Sequence, residues 1–268
     1  MTPLDLDAYL ERIRWLGGTR PTLETLTGLL GAHMAQIPFE NLDVLLGRPI
    51  RLDLPSLQDK LVRAHRGGYC FEHATLFAAV LEALGFRPER HAARVTMTVP
   101  RTESPRTHMF LVVPLPEGRF AVDPGFGTLA PRVPVPLVEH AVADAGPEAH
   151  RMVRDGPWWI LRAQVGDTVV DAWASTLEPE NAVDFALGNH YTSTFPESSF
   201  VNRIMMRALT ADGRVTVLNR VVTTWRGPDA HSTQMADRAE LRAILNRHFG
   251  FDLPEVLRLR VPSIPEWE

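Results

Sequence analysis

Near residue 88 the apolar residues of this chain change their spacing, and that change bounds the fold more than any other feature. Before it, they recur at helical intervals. Leu6, Leu10, Ile13 and Trp15-Leu16 form one stripe, closed by Gly17-Gly18. Pro21-Thr22 opens a second, of Leu23, Leu26, Leu29-Leu30, His33-Met34 and Ile37, which Pro38 ends. A third runs through Phe71, Leu76, Phe77, Val80, Leu81 and Leu84 to a stop at Gly85. Beyond residue 88 the pattern becomes that of strands: Ala93 to Val99, Thr107 to Leu115, Phe120 to Val122 after a Pro116-Glu117-Gly118 turn, Trp158 to Ala163, and Thr168 to Trp173. Prolines at 124, 131, 134, 136, 147 and 157 favour a barrel or sheet with long irregular connections over a βαβ array. Phe200 to Leu209 and Arg214 to Thr224 are expected to pair as a hairpin through Asp212-Gly213. Asp237, with Glu240 three residues on, opens a last helix whose stripe ends at Gly250. Helices, then strands, then a mixture predict an α+β fold in three parts: 1–88, 89–195 and 196–268.

The 268 residues are 45% hydrophobic and 22% charged, ample material for a core. A single cysteine leaves no internal disulfide framework and suits a reducing cytosol. The net charge of −4 argues against broad nucleic-acid binding. Met1 to Leu10 lacks a basic-then-apolar leader pattern, and no run approaches the roughly 20 apolar residues of a membrane span. A cytoplasmic protein is expected. Lys60 is the sole lysine, which reads as a matter of composition rather than of chemistry.

The cysteine, Cys70, stands in the run Arg66-Gly67-Gly68-Tyr69-Cys70-Phe71-Glu72-His73, at the junction of a glycine pair and the third helical stripe. A helix N-terminus favours an anion, and such positions lower a thiol's pKa toward the roughly 3.5–7.5 range of reactive cysteines. A nucleophilic cysteine needs a base, and the base a group to orient it. His108 lies in a predicted strand on the face of Phe110 and Val112, where a lone histidine reads first as a core residue. Asp123, before Pro124-Gly125, reads first as a turn former. If the two strands are neighbours, Asp123 reaches the imidazole nitrogen turned away from Cys70, which fixes the tautomer and stabilises the imidazolium.

Several ordered segments then resemble the arylamine N-acetyltransferase family over nearly the whole chain. They are Tyr9-x-x-Arg12-Ile13, Ile37-Pro38-Phe39-Glu40-Asn41-Leu42, Arg66-Gly67-Gly68-Tyr69-Cys70-Phe71-Glu72, Thr107-His108-Met109, Val122-Asp123-Pro124-Gly125-Phe126-Gly127, Asn189-His190-Tyr191 and Ser198-Ser199-Phe200-Val201-Asn202. The resemblance implies a helical first domain, a β-barrel-like second, an α/β lid, and a papain-like triad at the first interface. By it, Cys70 is the acyl-accepting nucleophile, His108 its proton partner and Asp123 the orienting carboxylate. Glu40 and Arg66 form a buried supporting ion pair, structural because loss of one partner strands the other charge. Gly125, Gly127 and Ser104 face coenzyme A, and Phe39, Val95, Phe126 and Phe200 line an apolar substrate pocket. Two positions depart from the family pattern. His73-Ala74 replaces an amide pair, placing an imidazole one helical turn beyond the nucleophile, where it either perturbs the thiol or contacts solvent. Pro105 lacks a backbone donor in a segment from which relatives often offer small residues to the cofactor.

Other motifs carry less. Gly125-Phe126-Gly127-Thr128-Leu129-Ala130 has the outline of a dinucleotide fingerprint, but Pro124 and Pro131 oppose the strand–turn–helix it requires. What remains is a glycine-rich turn whose amides suit a pyrophosphate, or a plain tight turn. His65, Cys70 and His73 lack the partners of a zinc site, so no metal is expected. The function this implies is acetyl transfer from acetyl-coenzyme A, through Cys70, to an arylamine, arylhydroxylamine or arylhydrazine by a ping-pong mechanism. The competing readings are amide or lactam synthesis from a carrier-bound thioester, a transglutaminase- or protease-like enzyme acting on peptide amides, and a binding module without turnover. Monomer and homodimer both remain open.

Overall fold

The computed structural model describes residues 4–144, 148–227 and 229–267. Pro147 lies outside them, as do Met1 and Glu268 at the ends of the expected parts. The fold is α+β.

Helix α1 (Leu6–Arg12) starts from Asp5, whose carboxylate accepts the Ala8 N–H. It is shorter than its stripe: Arg14 takes a left-handed φ of 56°, so Trp15-Leu16 leave the helix and Leu16 is 99% exposed. Helix α2 (Leu23–Gln36) is capped by the Thr22 hydroxyl, which accepts the Thr25 N–H. Then come β1 (Phe39–Glu40), α3 (Leu42–Leu45), and α4 (Leu54–Leu57), which runs on as a wider π-helical turn through Arg63. Helix α5 (Cys70–Ala83) begins at the cysteine itself, and Gly85, at φ 87°, ends it.

The barrel strands are β2 (Glu89–Val95), β3 (His108–Leu115), β4 (Gly118–Val122), β5 (Val135–Pro136), β6 (Val142–Asp144), β7 (Glu148–Asp155), β8 (Trp158–Val165) and β9 (Thr168–Ser175). They order as β5-β4-β3-β2-β9-β8-β7-β6, and β5 returns against β6 and β7, nearly closing the sheet. Strand β2 starts before the expected Ala93 and stops short of Val99. Pairing of Glu89 through Ala93 with β3, and of Arg94 and Val95 with β9, overrides the weak propensity of Glu-Arg-His. The rest of the chain holds α6 (Ala182–Thr194), α7 (Ser199–Asn202), β10 (Met205–Thr210), β11 (Gly213–Leu218), β12 (Val221–Arg226), β13 (Asp229–Gln234) and α8 (Arg238–Ile244). The expected hairpin forms around Asp212-Gly213. Its second arm breaks at Asn219, whose φ is 53°, into β11 and β12, while Phe200 belongs to α7.

Strand β3 explains how the layers meet. Met109, Leu111 and Val113 pack on the helices with Phe77 and Val80, whereas Phe110 and Val112 face the barrel interior with Leu161 and Trp173. A strand buried on both faces reads as a continuous apolar run. His108, opposite Ala93, takes the interior register. A third core joins Met206, Val215 and Val217 to Leu241, Leu245 and Phe249. Strand β1, from the helical third, is the edge of that last sheet, Phe39 pairing with Arg207. Among the described residues no helix is long and apolar enough to cross a membrane.

Candidate active site

Cys70 is the first helical residue of α5 and is 3% exposed. Its position is set by close backbone approaches that only glycine permits. A Cβ on Gly67 would stand 2.1 Å from the Pro38 carbonyl oxygen, where the chain bridges to β1. A Cβ on Gly125 would stand 2.7 Å from the Cα of Cys70. The first glycine of the pair before the cysteine is thus a packing requirement, as is the first glycine of the turn after Asp123. The helix start is fixed from within: the Glu72 carboxylate accepts the Tyr69 N–H at 3.1 Å.

The strands bring His108 and Asp123 to this helix end. His108 Nε2 lies 2.7 Å from Asp123 Oδ2, which also accepts the Trp173 indole N–H at 2.9 Å, while Asp123 Oδ1 accepts the Gly125 N–H at 3.3 Å. With Nε2 committed, Nδ1 is the nitrogen left to face the neighbouring Cys70, whose thiol donates to the Thr107 carbonyl at 3.7 Å. All three side chains are buried. Burial alone would lower the imidazole pKa. The Asp123 charge, its hydrogen bond and the Cys70 side chain outweigh this and raise His108 from 6.5 to about 10. A buried thiol therefore meets an imidazole held strongly basic by a carboxylate that is itself fully engaged.

Beneath Cys70 lies an ion cluster. Glu40 Oε1 accepts Arg66 Nη2 at 2.6 Å and Nε at 3.0 Å, and Glu40 Oε2 accepts the Leu42 N–H at 2.7 Å. Lys60 Nζ stands 2.8 Å from both Asp43 and Glu72. Burial alone would lower Lys60 and raise Asp43. The two carboxylates keep the lysine charged, and Lys60 and Arg66 hold Asp43 near 2. Burial pushes Glu72 up against the pull of Lys60. The sole lysine is therefore no accident of composition: it bridges α3 to the first turn of the cysteine helix.

Geometry of this kind occurs on unrelated folds, so the comparisons decide the family. An N-acetyltransferase family profile matches residues 22–258. The chain belongs to the arylamine N-acetyltransferase family. It is 39% identical over 259 residues to the arylamine N-acetyltransferase of Mycolicibacterium smegmatis, covering 94% of each chain. It is 32% identical over 253 residues to an arylamine N-acetyltransferase / N-hydroxyarylamine O-acetyltransferase of Salmonella typhimurium, covering 94% of this chain and 90% of that one. The structure of Mycobacterium marinum arylamine N-acetyltransferase in complex with CoA superposes with a TM-score of 0.90 at 35% identity, covering 94% of both chains.

The expected aromatic residues gather near Cys70, His108 and Asp123. The Phe126 ring stands edge-on to His108 with centroids 4.9 Å apart. Phe200 lies 6.2 Å from Phe39 and 5.3 Å from Tyr69, and Phe39 lies against Gly127. Val95 is half-buried at the end of β2, opposite Trp173. Ser104 is buried, with its hydroxyl turned to the Pro105 carbonyl at 3.4 Å and its own carbonyl accepting from Arg94. Gly125 directs its N–H back to Asp123, and Gly127, at φ 83°, gives its carbonyl to Arg207. Among the described residues no three His, Cys, Asp or Glu side chains are grouped to hold a metal ion.

His73 does not reach solvent; it is buried in a hydrogen-bonded line. Its Nε2 faces the Gly68 and Pro38 carbonyls at 3.1 and 3.2 Å and so carries the proton. Nδ1 then accepts from His33 Nε2 at 2.8 Å, and His33 Nδ1 accepts from the Tyr9 hydroxyl at 2.8 Å. Burial keeps both imidazoles neutral, His73 at about 4. Sequence reasoning missed Tyr9, His33, Lys60 and Trp173 in these roles, because nothing in local spacing pairs them. It also missed Asn41, whose amide donates to the Phe200 and Arg203 carbonyls and accepts the Met205 N–H, stitching β1 to the last sheet.

Proposed function

We propose that this chain transfers an acetyl group from acetyl-coenzyme A to the nitrogen of an arylamine, arylhydroxylamine or arylhydrazine by way of a thioester on Cys70. The observation that carries the reading is the buried His108–Asp123 pair, held beside Cys70 at the start of α5. His108 takes the proton of the thiol, the sulfur attacks the acetyl carbonyl, and coenzyme A leaves as its thiol. The acceptor nitrogen then attacks the acetyl-Cys70 thioester, and His108 passes the displaced proton back to sulfur. Asp123 holds the ring in the tautomer that serves both halves. Aromatic amines suit the second half because they are neutral near pH 7, and Phe39, Phe126 and Phe200 offer an apolar slot for the ring. The coenzyme A complex of the M. marinum relative supports the donor, and the double activity of the S. typhimurium relative supports hydroxylamine acceptors.

In this reading residues 1–88 supply the nucleophile, 89–195 the histidine and aspartate of a papain-like triad, and 196–268 a lid. The turn from Gly125 to Gly127 and the segment around Ser104 face coenzyme A, and the protein works in the cytoplasm. Steady-state rates with acetyl-coenzyme A and an aniline should give parallel double-reciprocal lines, with all turnover lost in Cys70→Ser. Intersecting lines would overturn the ping-pong order. Turnover only with a carrier-bound thioester or a peptide amide would move the chain to another acyl-transfer class.

A further inference from the structure

Behind the turn that follows Asp123 lies a second buried charged group, which the acyl-transfer chemistry does not use. Arg207 on β10 and Arg214 on β11 are diagonal neighbours on one face of the last sheet, since Arg207 pairs with Thr216 and Leu209 with Arg214. Both are more than nine-tenths buried. Arg207 Nη1 donates to the Gly127 carbonyl at 2.6 Å, but its Nε and Nη2 have no hydrogen-bond partner among the described residues. Arg132, half-buried, donates through Nη2 to the Gly213 carbonyl at 3.4 Å and leaves its buried Nε unpartnered.

The charges do not balance. Glu148 is ion-paired with Arg214, whose guanidinium also stacks 4.3 Å over Trp225. The nearby Asp123 is fully engaged by His108, Trp173 and Gly125, and His150 donates to the Leu129 carbonyl as a neutral ring. Burial, then the proximity of Arg132 and Arg214, lowers Arg207 to about 9, the response of a cation lacking a counter-charge. A crevice of about 10 Å³ opens at Arg207, walled by Met34, Ile37, Phe39, Pro124 and Leu209. That is room for one species of about the size of a water molecule. A water would satisfy hydrogen bonds but not charge.

We propose that Arg207 binds a single monatomic anion, chloride under cellular conditions, in this crevice. The anion accepts the free guanidinium N–H groups, neutralises the excess of arginine over Glu148, and holds Arg207 against the carbonyl of Gly127.

Crystals of the full chain grown with sodium bromide in place of chloride should show one anomalous peak against Arg207 Nε and Nη2. In parallel, thermal unfolding at constant ionic strength, with gluconate exchanged for chloride, should show a saturating rise in Tm of about 2–4 °C for the parent protein. The rise should be absent in Arg207→Met. Ordered water without anomalous signal at Arg207 would overturn the proposal, as would equal Tm values in chloride and gluconate. An undiminished chloride response in Arg207→Met would place the effect elsewhere and overturn it equally. The bromide experiment uses the unaltered chain, so poor folding of the variant does not leave the question open.

Discussion

Replacing Asp123 by asparagine keeps the shape of the side chain and removes its charge. His108 stands at about 10 instead of 6.5. At 1.36 kcal/mol for each tenfold change, this favours the imidazolium by about 5 kcal/mol. Burial acts in the opposite direction, so Asp123 and Cys70 together supply the whole effect, with the carboxylate foremost. Without the charge, the equilibrium moving the proton from Cys70 to His108 should fall by about a thousandfold, and the sulfur's reactivity at pH 7 with it. Because Cys70 is the only cysteine, alkylation by iodoacetamide followed by intact mass reads this directly. The sign of the pH dependence gives a second check. A histidine raised on folding contributes stability that is complete below 6.5 and lost as the pH climbs to about 10. The stability gap between the parent and Asp123→Asn should therefore be widest near pH 6 and close toward pH 10. Alkylation within about threefold of the parent at pH 7 would refute the assignment of Asp123 as the source of His108's basicity.

Other outcomes follow from the surrounding geometry. Neutral His73 and His33 contribute stability present above 6.5 and lost as the pH falls, His73 accounting for about 3 kcal/mol by pH 4. His73→Gln keeps a donor and an acceptor without a titrating proton, so denaturant melts from pH 7 to 5 should show a shallower loss than in the parent. Lys60→Met strands the buried Glu72, while Asp43 keeps Arg48 and Arg66, and should cost about 3–5 kcal/mol, seen as a Tm lower by about 10 °C. Gly125→Ala places a methyl 2.7 Å from the Cys70 Cα, and the forced shift should slow acetylation of the cysteine by about a hundredfold while leaving the far-UV spectrum unchanged.

What the sequence disclosed, and what it withheld, divides along the range of the interaction. The α5 helix, its start at Cys70 and its stop at Gly85 are local matters of periodicity and backbone freedom, and they are legible. So is the both-faces burial of β3, which a continuous apolar run announces. Trp173 binds Asp123 only because β9 pairs with β2, fifty residues from the aspartate, and no spacing rule foretells that. Helix α6, with Leu187 and Val183 exposed and Asn189 turned inward to Tyr69 and the Ile50 carbonyl, lacks the clear apolar stripe that periodicity detects. Lys60 looked compositional because its two carboxylates sit on separate helices. His73 was ambiguous for the same reason: burial keeps it neutral, and its ring nitrogens are met by the Pro38 carbonyl and by His33, thirty-five and forty residues away.

The central claim is that Cys70 carries the acyl group between donor and acceptor. Intact mass after brief exposure to acetyl-coenzyme A without acceptor, beside Cys70→Ser, tests it most directly. The account predicts one acetyl adduct on the parent chain, none on the variant, and its complete discharge on adding an aniline, with acetanilide formed in equal amount. An adduct that persists in the variant, or a parent chain that makes acetanilide without ever carrying the acetyl group, would contradict it.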